Sequence, residues 1–183
     1  MRCYPFSCLG GRANEKDVDC ILFMVKWKYQ NSCRTVAEQL QKKTDADIVE
    51  IQTVTPYSGT YDEVVRQGQK EVERGYMPDI RPLSVNLSDY DVIAVGTPTW
   101  WYTMAPAVHT FLQNNSFEGK TVIPFMTNGG WPGHVIKDMK KLCKGASFTC
   151  EKEIQFDSEG GFNLVTPQNE IETWIQGVSD NLK

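Results

Sequence analysis

The sequence predicts an α/β protein in which helices cover both faces of a parallel β-sheet. Apolar runs of strand length alternate along the chain with stretches that have helical spacing. The middle strand, Asp91–Val95, is continuously apolar after its first residue, which is typical of a strand buried on both faces. The chain has 183 residues, of which 40% are hydrophobic and 23% charged, and these values fit one globular domain.

Five strands follow from short apolar runs. Asp47–Gln52 qualifies through Ile48, Val49 and Ile51, whereas the first, third and fourth runs are nearly continuous. The alternation of strands with helices predicts that the five strands lie parallel in one sheet. In chain order they are Ile21–Val25, Asp47–Gln52, Asp91–Val95, Thr121–Met126 and Phe148–Ile154.

Five helices follow from apolar residues three or four positions apart. The helix at His134–Leu142 carries Val135, Met139 and Leu142 at this spacing, and the last helix carries Ile171, Trp174 and Val178. The second helix is amphipathic but strongly polar. In chain order the predicted helices are Thr35–Lys43, Tyr61–Gly75, Pro106–Gln113, His134–Leu142 and Glu170–Leu182.

Composition excludes several classes of protein. The net charge is −4 and no cluster of lysine and arginine forms a stripe, so we expect no nucleic-acid partner. No apolar run is long enough to cross a bilayer and the amino end has no signal-peptide pattern, so we expect no membrane partner and a cytoplasmic location. Six cysteines without a C-x-x-C pair, and two histidines, give no metal-ligand pattern.

Two loops carry the functional signal, because ligands of such sheets bind beyond the carboxyl ends of the strands. The segment after the third strand reads GTPTWWYTM and contains three successive aromatic residues, Trp100, Trp101 and Tyr102. A wall of this kind suits a planar, electron-poor ring system. The segment after the fourth strand reads TNGGWPG, in which Gly129 and Gly130 let backbone N–H groups approach a ligand.

Together these segments resemble the flavodoxin family, in its version with two tryptophans after the third strand. The resemblance starts near Arg34, and DVIAVGTPTWWYTM and KTVIPFMTNGGWPG carry it. It implies a flavodoxin-like doubly wound sheet of strand order 2-1-3-4-5, spanning residues 20–183, and a non-covalently bound FMN. The implied contacts to the flavin ring are Thr97, Pro98, Thr99, Trp100, Trp101 and Tyr102 on one side, with Thr127, Asn128, Gly129 and Gly130 along its polar edge.

The chain departs from the family at the loop that should hold the FMN phosphate. Family members use a glycine-containing, hydroxyl-rich turn at a helix N-terminus, which suits an anion. Here Lys26–Cys33 reads KWKYQNSC, without glycine and with bulky Trp27 and Tyr29. As it stands, this loop predicts weak FMN binding. Residues 1–19 are interpreted as an irregular extension.

We hypothesise that a slipped reading frame produced this departure. Codons permitted for Lys16–Val36, read one nucleotide later, spell KMLIAYFSWSSGNTRTVA, a strand followed by the expected phosphate loop. The shifted frame ends in RTVA, and the actual frame continues with the same four residues from Arg34. A short tandem duplication whose length is not a multiple of three produces both features. This hypothesis predicts that restoring the Ser-Gly-Asn-Thr loop tightens FMN binding.

Three functions stay open at this point. The first is an FMN-dependent electron carrier that exchanges electrons with redox partner proteins and needs no catalytic residue, because the chemistry belongs to the flavin. The second is an NAD(P)H-dependent FMN reductase of quinones or similar acceptors. The third is a flavin-free module that keeps the fold, which the sequence of Lys26–Cys33 favours.

Overall fold

The structure, a computed structural model, describes residues 20–25, 32–158 and 163–182. Its strands in chain order are β1 (Cys20–Val25), β2 (Asp47–Ile51), β3 (Val92–Trp100), β4 (Thr103–Met104), β5 (Thr121–Asn128), β6 (Ser147–Phe148) and β7 (Lys152–Gln155). Its helices are α1 (Ser32–Thr44), α2 (Tyr61–Arg74), α3 (Pro106–Asn114), α4 (Val135–Leu142) and α5 (Gln168–Asn181), with a 3-10 turn at Leu87–Asp89.

The sheet has the predicted parallel order. The strands lie in the order β2, β1, β3, β5 and then β6, and each neighbouring pair is parallel. β7 continues the outer edge by pairing with the second half of β5, while β4 folds back antiparallel onto the end of β3. The flavodoxin-like order 2-1-3-4-5 is therefore confirmed, with β6 and β7 together forming its fifth strand.

Two apolar cores cover the two faces of the sheet. Because side chains alternate along a strand, Ile93 and Val95 point to one face and Val92 and Ala94 to the other. The first face packs against α2, α3 and α4, with Phe111 fully buried, and the second packs against α1 and α5. The predicted arrangement of helices on both faces is confirmed.

The structure differs from the prediction at two strands. β3 continues to Trp100, so the segment predicted as a loop is largely strand. The fifth strand is interrupted because three residues separate Phe148 from Lys152, whereas two separate their partners Val122 and Phe125. The additional residue breaks the ladder, as in a β-bulge, and Cys150 adopts φ 48° there.

The amino end limits what is described. β1 confirms the strand predicted at Ile21–Val25. The predicted extension 1–19 and residues 26–31 of the phosphate loop lie outside the described residues. Ser32 and Cys33, which the prediction counted in that loop, are the first residues of α1. No helix within the described ranges has the length and apolar content needed to cross a bilayer.

Candidate functional site

A cavity of about 340 Å³ opens at the carboxyl edge of the sheet, where β3 and β5 end. Its walls come from α2, from the turn after β3 and from the segments after β5 and β7. This is the edge at which sheets of this kind bind ligands. The lining residues are Tyr61, Val64, Val65, Gly68, Thr99, Trp100, Trp101, Tyr102, Gly129, Trp131, Asp157 and Ser158.

The aromatic hairpin, residues Trp100–Thr103, forms one wall. Trp100 pairs with Thr103 across two central residues, and these have positive φ values, 47° at Trp101 and 68° at Tyr102. Two such residues are typical of a type I′ turn, where asparagine and glycine are the usual choices. Each bulky residue pays roughly 1–2 kcal/mol for the left-handed conformation. Strain of this kind persists where surrounding contacts enforce it, often at ligand sites.

Contacts from two helices hold this turn. The indole Nε1–H of Trp101 donates to the carbonyl oxygen of Val65 on α2 at 3.0 Å. The carbonyl oxygen of Tyr102 accepts from the backbone N–H of His134, just before α4, at 2.8 Å. The side chains of Trp101 and Tyr102 nevertheless remain 42% and 53% exposed. The turn is thus fixed through its backbone and one indole nitrogen, while its ring faces stay available.

Trp100 has a different role from its two neighbours. It is 6% exposed and its ring lies beneath α2, so close to Gly68 that an added Cβ there would approach the ring to 2.9 Å. Tyr57 meets it edge-on, with ring centroids 4.9 Å apart. Trp100 therefore contributes the floor of the cavity and part of the core rather than an open stacking face.

Helix α2 forms the opposite wall and is precisely delimited by its caps. Thr60 and Glu63 form a reciprocal capping box at its start, and Gly75, with φ 61°, ends it. Tyr57 donates to the Glu71 carboxylate at 2.6 Å, which fixes the preceding loop against the helix. The face that includes Tyr61 and Val65 is thereby aimed into the cavity.

The third wall is more polar. Gly129 lies against the backbone of Asp157 and Ser158, where an added Cβ would stand 3.3 Å from both residues. The Asn128 side chain is used internally, since it accepts from Gly130 N–H at 2.8 Å and donates to the carbonyl oxygen of Ile154 at 3.3 Å. It shapes the turn after β5 instead of facing the cavity.

Thr99 also lines the cavity, and its hydroxyl oxygen is buried. Among the described residues it has no hydrogen-bond partner. Leaving such a group unpaired costs about 1–3 kcal/mol, and a ligand that hydrogen-bonds to it recovers that cost.

Two predicted threonines serve the scaffold. Thr97 is buried, donates to the Pro98 carbonyl oxygen at 3.0 Å and accepts from Ala105 N–H at 3.1 Å. The Thr127 hydroxyl lies 3.1 Å from both Ser32 Oγ and Cys33 Sγ, joining β5 to the start of α1. Burial raises the pKa of the Cys33 thiol to about 12, so this thiol stays protonated near neutral pH.

Half of the ten predicted site residues line the cavity. Those that do are Thr99, Trp100, Trp101, Tyr102 and Gly129. Thr97 and Pro98 are buried in β3, and Thr127, Asn128 and Gly130 lie at the end of β5 without lining the cavity. Among the described residues no group of three metal-ligating side chains is close enough together to hold an ion.

The sequence prediction missed the contribution of α2 and of the chain after β7. Tyr61, Val64 and Val65 belong to a helix whose strongly polar composition does not indicate a ligand-binding wall. The available signal was Gly68, because a glycine in a helix interior indicates a close contact, here with Trp100. Asp157 and Ser158 carried no local signal, since their place depends on the register of β7.

Comparisons with known proteins agree with this architecture. A candidate flavoprotein from Bacteroides eggerthii superposes with a TM-score of 0.67 at 23% identity, covering 88% of this chain and 98% of that one. A flavoprotein from Lactobacillus acidophilus in complex with FMN gives 0.62 at 15% identity, covering 86% and 98%. Oxidised flavodoxin 2 from Bacillus cereus gives 0.53 at 12% identity, covering 90% and 97%.

At the level of sequence, no curated protein matches the chain significantly. The family profile described as flavodoxin, in contrast, matches residues 23–176. This range runs from the middle of β1 to the middle of α5 and includes every described residue that lines the cavity. The chain therefore belongs to the flavodoxin family.

Proposed function

We propose that this protein binds FMN non-covalently in the cavity and exchanges electrons with redox partner proteins. The observation that carries the proposal is the cavity itself, whose walls hold the exposed rings of Trp101, Tyr102 and Trp131 at the ligand-binding edge of the sheet. Exposed aromatic clusters of this kind are unusual on a protein surface and mark binding sites. The FMN complex of the similar flavoprotein from Lactobacillus acidophilus supports the choice of ligand.

The lining residues fit a flavin ring. The cavity volume of about 340 Å³ lies within the usual range for small-molecule sites, roughly 300–1,000 Å³. Aromatic side chains offer stacking surfaces to a flat ring, and the unpaired Thr99 hydroxyl offers a hydrogen bond to its polar atoms. Gly129 leaves room for the close approach of a ring edge, because it carries no side chain.

FMN, when bound, supplies reversible transfer of electrons. The chain's own residues bind and orient the ring: Trp101 and Tyr102 cover it, and Thr99 offers its polar contact. Trp131, which is 59% exposed, shields the cavity mouth from water. The partner that delivers or accepts electrons, and residence in the cytoplasm, stay predictions from the sequence.

The proposal is tested by titrating the flavin-free protein with FMN and following flavin fluorescence. We expect one FMN per chain and quenching of its emission. We expect Trp101→Leu to weaken binding about fivefold and to reduce the quenching, since one stacked ring contributes about 1 kcal/mol beyond its buried area. Tyr76→Leu is the matched control, because Tyr76 is an exposed aromatic residue outside this cavity. Equal effects of both substitutions, or none, would remove the stacking role.

A second assay separates a carrier from a reductase. Steady-state oxidation of NAD(P)H with a quinone, measured on the FMN-loaded protein, is expected to be absent without a partner reductase. Sustained turnover by the protein alone would assign it to the FMN-dependent reductases instead. Absence of any FMN binding would favour the flavin-free module, which the composition of Lys26–Cys33 also favours.

A further inference from the structure

The aromatic hairpin is joined to the start of α4 by more than its backbone contact. The Thr103 hydroxyl donates to Asp138 Oδ2 at 2.9 Å. His134 Nδ1 also contacts that oxygen and acts as the donor, because an ionised carboxylate can only accept. The backbone N–H of His134 in turn donates to Tyr102. Asp138 thus closes a ring of contacts that runs from α4 to both sides of the turn.

Asp138 is suited to this position because both oxygens of its carboxylate accept hydrogen bonds. Its side chain is 18% exposed, and Lys141 Nζ donates to its second oxygen, Oδ1, at 2.8 Å. Partial burial opposes ionisation, but hydrogen bonds from Lys141, Thr103 and His134 outweigh it, so the pKa of Asp138 falls below its ordinary value. The carboxylate is therefore charged throughout the neutral range and can hold three donors at once.

The approach between hairpin and helix is unusually close. Gly133 has φ 62°, and an added Cβ would come within 2.1 Å of the Tyr102 carbonyl oxygen and 2.4 Å of its Cα. No residue with a side chain fits this junction without displacing the turn. Tyr102, the second residue of the left-handed pair, therefore lies against the segment just before α4, next to Thr103, which Asp138 binds.

We propose that Asp138 is a positioning residue that, through Thr103 and His134, holds the aromatic hairpin in its left-handed conformation and so sets the wall that meets the planar ligand. The effect on the ligand rests on the proposed FMN function, whereas the effect on the hairpin does not. The alternative is that Asp138 merely stabilises α4, since it is an acidic residue in the first turn of that helix. If Asp138 positions the hairpin, the hairpin's conformation depends on the Thr103 hydroxyl. If Asp138 only stabilises α4, it does not.

Thr103→Val separates these roles, because it removes the hydroxyl and leaves Asp138 and its helix unchanged. Thr121→Val is the matched control, since the Thr121 hydroxyl contacts Ser147 at a distant part of the sheet. Thr103→Ser keeps the hydroxyl and tests rescue. Asp138→Ala removes the carboxylate itself, and Lys141→Met removes one of its donors without touching the hairpin link.

The measurement is amide hydrogen exchange of the full-length, flavin-free chain. It reads the backbone N–H of His134, which reports contact with Tyr102 directly. We expect Thr103→Val and Asp138→Ala to accelerate its exchange about tenfold, with strand β5 unchanged, and Thr103→Ser, Thr121→Val and Lys141→Met to stay near wild type. Unchanged exchange at His134 would overturn the proposal, because the contact with Tyr102 would then not depend on Asp138 and Thr103. Equal acceleration in β5 would also overturn it, because that result indicates a loss of global stability.

FMN affinity is measured on the same variants. We expect Thr103→Val to weaken binding severalfold while the unfolding midpoint in urea stays within the range of the Thr121→Val control. Wild-type affinity in a variant whose His134 amide is deprotected would refute the effect on the ligand wall. Failure of the wild-type chain to bind FMN would contradict the proposed function instead, and the exchange data would still decide the role of Asp138 in the hairpin.

Discussion

At the scale of single residues, backbone conformation explains why glycine occupies particular positions, which side-chain chemistry does not explain. Gly133 and Gly119 both have positive φ, 62° and 73°, but their surroundings differ. An added Cβ at Gly133 meets the backbone of Tyr102, whereas at Gly119 it meets no atom within 4 Å. The pair therefore separates the cost of an unfavourable φ from the cost of a backbone collision.

We predict that Gly133→Ala lowers the free energy of unfolding by about 3 kcal/mol, because the left-handed conformation costs roughly 1–2 kcal/mol and the collision must also be relieved. Gly119→Ala should lower the free energy of unfolding by about 1 kcal/mol, since only the left-handed conformation is unfavourable there. Urea unfolding of both variants measures the difference. Equal losses would show that the hairpin moves away from α4 without cost.

At the scale of elements, the aromatic hairpin has a strained backbone and exposes two aromatic rings to the cavity. A type I′ turn normally places asparagine and glycine where this chain has Trp101 and Tyr102. The sequence signal for a two-residue hairpin was therefore absent, and the residues were predicted as a loop. Neither propensity nor periodicity identifies such a turn, because its own residues disfavour positive φ values and contacts with neighbouring helices stabilise it.

The double substitution Trp101→Asn with Tyr102→Gly tests whether these two residues strain the turn while providing the ligand contact. We predict that the free energy of unfolding is maintained or rises by about 1 kcal/mol, because relief of backbone strain offsets the lost indole contact to Val65. FMN affinity should fall at least tenfold in the same protein. A large loss of stability would mean that the rings, rather than the contacts of the backbone, hold the hairpin in place.

At the scale of the whole molecule, the fold was predictable and the site partly so. Apolar runs such as Asp91–Val95 depend on local sequence, and the strand order followed from the family resemblance. Side-chain direction depends on register, which local sequence does not reveal. Thr97 and Thr127 are predicted ligand contacts, and in the structure their hydroxyls form hydrogen bonds within the scaffold. Gly68 and Asp157 reach the cavity through the packing of elements distant in the sequence.

In the sequence, the expected phosphate loop is far from the residues that line the cavity. Every described wall of the ring cavity lies in the part of the chain from Tyr61 onward, whereas the loop expected to bind the phosphate is replaced by KWKYQNSC at Lys26–Cys33. The proposed contacts to the ring and the expected contacts to the phosphate therefore come from different segments of the chain. Riboflavin, which has the ring without the phosphate, distinguishes them.

Calorimetric titration of the full-length chain with FMN and with riboflavin measures whether the cavity binds a flavin ring. We predict that both bind at one site per chain with affinities within about tenfold of each other, a difference of roughly 1.4 kcal/mol. A variant in which KMLIAYFSWSSGNT replaces Lys16–Cys33 should bind FMN much more tightly and riboflavin as before. If neither FMN nor riboflavin binds to either protein, the cavity is not a flavin site.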